Sequence, residues 1–130
     1  MPTHELHSTL LKVAKKDLDL AKLGTSVEDP YIEGVCFHCQ QYAEKALKSF
    51  LKFNDVKYRF IHDLESLCED CEKLDSTFTE IDILCQVLTQ YSPDKRYLDD
   101  GLISKNEMFE AIELAEKVLN FVKERVVPKV

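Results

Sequence analysis

Tryptophan is absent from this 130-residue chain, glycine occurs three times and proline four. So few breakers leave little material for tight turns and favour long uninterrupted helices. Neither G-x-x-x-x-G-K-[ST] nor G-x-G-x-x-G occurs, which excludes the glycine-rich loops that cradle phosphates. G-x-S-x-G and H-E-x-x-H are missing as well. No apolar run approaches the ~20 residues that cross a bilayer. The first residues carry neither the basic nor the apolar stretch of a signal peptide, so a cytoplasmic protein without membrane contact is expected. Positive charge is scarce too: 17 basic against 24 acidic residues give a formal net charge of −7. That argues against DNA as a partner, because no global positive field would gather phosphates. A small basic pocket remains compatible with it.

What is present is the balance of a folded globular chain, 45% hydrophobic and 32% charged. The length suits one domain, residues 1–130. Apolar residues recur at three- and four-residue steps throughout, and no stretch alternates with period two. Residues 3–23 predict a first helix with Leu6, Leu10, Val13, Ala14, Leu18 and Ala21 inward and Gly24 as its left-handed cap. Residues 31–53 predict a second, with Val35, Cys39, Tyr42, Ala46 and Phe50 on its buried face. Its other side is a polar ridge of His38, Gln41, Lys45, Lys48 and Lys52. A third helix is expected over residues 62–74, with Leu64, Leu67, Cys68, Cys71 and Leu74 inward. A fourth segment starts near Thr79 and Asp82, and an irregular stretch occupies residues 92–103. Ser104 followed by Glu107 is a capping box for a last helix over residues 105–126. The economical fold is all-α: an antiparallel bundle of four main helices plus one shorter helix.

The two Cys-x-x-Cys pairs, Cys36/Cys39 and Cys68/Cys71, have the pair spacing of zinc sites. Both fall within helices and on their apolar stripes, so they are read as core packing, with no metal and no cofactor expected. A scattered polar set remains: Gln41, Glu44, Lys45 and Lys48, then Arg59, His62 and Asp63, then Lys95, Arg96 and Tyr97. His62-Asp63 reads as a helix start, with Asp63 at the positive dipole end. Glu44 stands four residues before Lys48, the spacing of a neutralising pair.

The stretch Phe37-His38-Cys39-Gln40-Gln41, followed by Glu44-Lys45 and Lys48, resembles the F-H-x-Q-Q-x-x-E-K-x-x-K signature of HEPN domains (higher eukaryotes and prokaryotes nucleotide-binding). His62-Asp63-Leu64 is similar to that family's H-D-L, and Arg96-Tyr97 to its R-Y-P-D segment, with Leu98 where proline is usual. The resemblance implies a HEPN-like bundle that dimerises and works beside a small nucleotidyltransferase, in some cases as a toxin–antitoxin-type pair. It also implies binding of a nucleotide or short RNA, for which Gln41, Lys45, Lys48, His62, Arg96 and Tyr97 are the candidates. Other members are metal-independent ribonucleases marked by R-x(4–6)-H. Here Arg59 and His62 are separated by two residues, and no histidine follows Arg96 or Arg125. Catalytic residues are therefore not assigned. Two alternatives stay open: a ribonuclease using His38 or His62 with Arg96, and a purely structural dimeric interaction protein.

Overall fold

Every regular element is helical in the computed structural model, which describes residues 3–25, 32–92 and 103–126. Helix α1 spans Thr3–Thr25, α2 Ile32–Phe53, α3 Leu64–Glu72, α4 Asp82–Leu88 and α5 Lys105–Arg125. A 3-10 turn at Ser76–Ile81 leads into α4, and another at Thr89–Tyr91 leaves it. The all-α expectation holds, with the length concentrated in three helices of 23, 22 and 21 residues.

Chain length fixes the first pairing. The connection from Thr25 to Ile32 reaches about 25 Å at full extension, less than the ~34 Å of α1, so a packed α2 must turn back along it. Glu107 lies close enough to Cys36, and Glu116 to Tyr42, to act on their titration. Helix α5 therefore runs with α2 and against α1.

Helix α2 is the centre of the molecule, packed by α1, α3 and α5. Its apolar face is as expected, with Cys39, Tyr42, Ala46 and Leu47 fully buried. Of its polar ridge only Lys48 is buried, while His38, Gln41, Lys45 and Lys52 are half-buried, and the burial extends to polar residues beside the ridge. Gln40, Glu44, Lys48 and Ser49 are all buried. Beyond α2, Phe78 packs between Phe50, tilted at 4.4 Å between ring centroids, and Phe121, edge-on at 5.0 Å. Phe121 is thus part of the core packing, whereas Phe109 is exposed.

Several local expectations are corrected. Helix α1 continues through Gly24 to Thr25, where the threonine hydroxyl donates to the Lys22 carbonyl, so the glycine does not end it. Val13 lies at the edge of the apolar stripe and is exposed, and Leu74 falls past the end of α3 and is exposed. The fourth segment begins earlier than Thr79: Asp75 caps the 3-10 turn by accepting from the Thr77 amide. The capping box of Ser104 and Glu107 is present in both directions. Pro128 lies outside the described residues.

All five cysteines are free and buried. The Cys71 thiol points at the Leu47 carbonyl, 3.7 Å away, and the Cys68 thiol at the Phe78 carbonyl, 3.6 Å away. They pack as small hydrophobes between helices. Burial pushes the Cys36 and Cys39 thiols up to about 12.

Candidate functional site

Gln40, Glu44 and Lys48 follow one another at four-residue steps, so α2 sets them on one face, against the segment that enters α3. That segment ends at Asp63, whose carboxylate accepts from the Glu65 amide and the Ser66 hydroxyl and so starts α3 as expected. The Leu64 amide donates to the Thr89 hydroxyl, tying the same corner to the end of α4. His62 is thereby held above α2.

Glu44 is the hub. Its Oε2 accepts from Lys48 Nζ at 3.1 Å, and its Oε1 lies 2.8 Å from His62 Nδ1 and 3.2 Å from Gln40 Nε2. A carboxylate only accepts, so the proton of a neutral His62 sits on Nδ1 and Nε2 is left as an acceptor. Gln40 Nε2 also donates to the His62 carbonyl at 2.8 Å, and Gln41 Nε2 donates to Gln40 Oε1. Lys48 Nζ stands 5.2 Å from the Tyr58 ring centroid. Glu44 and Lys48 side chains are only 6% and 10% exposed, whereas His62 is 44% exposed. With His62 neutral the network carries no net charge.

The candidates therefore divide. Lys48 and His62 meet on Glu44, and Gln41 joins them through Gln40. Lys45 belongs to another neighbourhood: its ammonium pairs with Asp17 of α1. His38 Nδ1 lies 3.5 Å from the same Asp17 carboxylate, at an angle that makes no hydrogen bond. Arg96 and Tyr97, with Lys95, lie outside the described residues.

The junction also holds Phe60, which the sequence pattern does not single out, beside Arg59, which it does. Phe60 is 87% exposed, and its ring meets Tyr58 edge-on at 6.0 Å. Arg59 donates to Asp70 at 3.0 Å and to the Ser66 carbonyl at 3.2 Å, which fixes it beside α3. Two aromatics, Tyr58 and Phe60, interleaved with Arg59 and followed by His62 are the signal the sequence held.

A HEPN domain profile matches residues 7–125. The chain belongs to the HEPN family. Two solved structures are similar to it in sequence and fold. An archaeal HEPN homologue is 29% identical, with a TM-score of 0.73 over 93% of this chain and 98% of its own. A protein from Thermus thermophilus is 28% identical, with a TM-score of 0.75 over 92% and 97%. No curated protein matches the sequence. In this HEPN chain the H-D-L residues build the α3 cap, and the Glu44 and Lys48 of the signature are joined by a hydrogen bond.

Away from this junction, Cys68, Glu72 and Asp82 bring a thiol and two carboxylates within 4.8 Å of one another at the corner of α3 and α4. That is the one such metal-capable group among the described residues, and it uses a single member of one cysteine pair. Burial, with Asp82 next, raises the Glu72 pKa, as repulsion between neighbouring carboxylates requires. No described helix is long and apolar enough to cross a membrane.

Proposed function

We propose that this HEPN chain is a non-catalytic module that binds a nucleotide or short RNA at the 58–62 junction. The observation that carries this reading is an exposed ring beside fixed polar groups: Phe60 is 87% exposed, next to Arg59 and a half-exposed His62 anchored on Glu44. A base stacks on such a ring, and His62 Nε2 and the guanidinium face the sugar or phosphate. Arg96 and Tyr97, two residues of the R-Y segment, are further candidates for the same ligand on the family resemblance. Lys48 and Gln41 support it from beneath, and Lys45 steadies α2 against α1.

The module acts as a homodimer and in company with a nucleotidyltransferase, in the manner of a toxin–antitoxin-type pair. The support for association is the set of large apolar side chains left outside the core, among them Ile83 and Phe109. The missing R-x(4–6)-H spacing supports binding over cleavage.

Titration of ATP, GTP and a short RNA against wild type, Phe60→Ala and Arg96→Ala tests it. Each variant is expected to bind on the order of tenfold more weakly, the loss of one stacking or charge-assisted contact. Equal affinity in all three proteins moves the site elsewhere, and no binding by wild type favours a purely structural interaction protein. One feature favours a second reading, ribonuclease chemistry: Glu44 holds His62 in a single tautomer, as carboxylates do for catalytic imidazoles. Metal-free RNA cleavage that disappears in His62→Ala would establish it.

A further inference from the structure

On the side of the bundle where α1 meets α5, two helices present the same spacing to each other. Lys15, Leu18, Asp19 and Lys22 stand at i, i+3, i+4 and i+7 on α1. Glu116, Leu119, Asn120 and Lys123 stand at i, i+3, i+4 and i+7 on α5. Together with Tyr42 of α2 they line a cleft of about 190 Å³. Lys22 Nζ pairs with Glu116 at 2.6 Å and closes one end. In antiparallel order this sets Asp19 opposite Asn120 and Lys15 opposite Lys123. Neither Lys15 nor Lys123 has an ion-pair partner among the described residues, so two cations face each other at the open end, where an anion would relieve their repulsion.

The floor supplies an independent pointer. Tyr42 is fully buried, yet its hydroxyl has no hydrogen-bond partner. An orphaned hydroxyl in a core costs free energy, and Tyr42 lines the cleft together with Asp19 and Glu116. Leu18 and Leu119 give the cleft an apolar surface between the charged ends.

We infer that this cleft binds a small phosphomonoester of sugar size. The phosphate takes Lys15, Lys123 and the Asn120 amide at the cationic end. The Asp19 and Glu116 carboxylates accept from the sugar hydroxyls, and the Tyr42 hydroxyl gains the partner it lacks. Three lysines against two carboxylates leave the lining with one excess positive charge, enough to select an anion without demanding a polyanion. The volume lies below the roughly 300 Å³ at which pockets begin to enclose drug-sized ligands, so a sugar phosphate fits and a whole nucleotide leaves its base outside. The shared chemistry is the sugar phosphate itself, free or as part of a nucleotide. This site is separate from the 58–62 junction and does not depend on it.

Calorimetric titration of the full chain with ribose 5-phosphate, ribose, inorganic phosphate and AMP tests the assignment. Ribose 5-phosphate is expected to bind and ribose is not. Lys15→Ala and Lys123→Ala each lower the affinity on the order of tenfold. Tyr42→Phe keeps the ring, so it leaves the fold intact and weakens binding alone; Lys105→Ala, at the start of α5, changes nothing. Stronger binding of AMP through the same three residues marks a nucleotide as the source, and weaker binding marks the free sugar phosphate. The inference is overturned if ribose 5-phosphate does not bind at millimolar concentration. It is equally overturned if the lysine variants bind as wild type does, or if inorganic phosphate binds as tightly as the ester.

Discussion

Glu44 gathers a lysine, an imidazole and a glutamine amide onto one buried carboxylate. Removing it strands the Lys48 ammonium in a site only 10% exposed, and breaking one partner of such a pair costs about 3–5 kcal/mol. Glu44→Ala is expected to lose that much in urea unfolding, and adding Lys48→Met should restore most of it. A loss below about 1 kcal/mol in the single variant would show that Lys48 reaches water. The thiols give a second test at this scale. Burial raises the pKa of Cys36, Cys39 and Cys71, and a hydrogen bond with Cys68, with burial next, raises that of Cys85, so at about pH 8 they are protonated as well as covered. A disulfide reagent should find no reactive thiol in the native protein and five after denaturation. Rapid native reaction of any one would contradict the packing described. Much of this was readable in the chain: the cysteines sat on apolar stripes, and Glu44 and Lys48 had the spacing of a pair. Burial of that pair was not readable, because charged residues opposite an apolar stripe ordinarily face water. What covers them is a segment whose His62 stands 18 residues away from Glu44.

Among the elements, the turn from α3 into α4 and the end of α5 form one clamp. The Arg125 guanidinium lies 3.4 Å from the Phe121 ring centroid, with Asp75 at 3.3 Å, and donates to the Thr77 hydroxyl. The Thr77 hydroxyl and amide, with Arg125 adding to them, hold the Asp75 carboxyl below the usual carboxylate range. A folded pKa below the unfolded value of about 3.9 means stability that is complete above that value and lost as the pH falls through the folded one. Asp75→Ala is therefore expected to cost about 1 kcal/mol at neutral pH, as the loss of a cap does. Its difference from wild type should close in urea titrations taken into strong acid; a gap independent of pH would deny the carboxylate its role. Arg125→Lys should not rescue, because an ammonium cannot lie flat on Phe121 while reaching Asp75. The sequence marked the helices well, and it marked the Ser104 box to the residue. It misplaced the start near Thr79 because the 3-10 turn at Ser76–Ile81 has no apolar period of its own, and its cap is fixed by Arg125 from the far end of the chain.

For the whole molecule, the proposed dimer makes a direct demand. Sedimentation at micromolar concentration should show a species of twice 15.0 kDa, shifting toward monomer in Phe109→Asp, whose wild-type ring is half exposed on α5. A lone 15.0 kDa species would contradict the dimer. Fold class was legible from period alone, and association was legible only as apolar surplus, since no stripe says whether its outer edge meets water or another copy. The central place of α2 reaches beyond equilibrium into synthesis. Its buried face against α5 is completed by Met108, Ala115, Val118 and Val122, more than fifty residues further along the chain. A nascent chain that has α1 and α2 outside the ribosome still has a greasy flank with nothing to lay on it, and must wait until residues 105–125 are made. Any product cut short before residue 105 keeps that flank bare for good. The cell would meet it as an aggregating fragment for proteases, not as a weaker form of the protein.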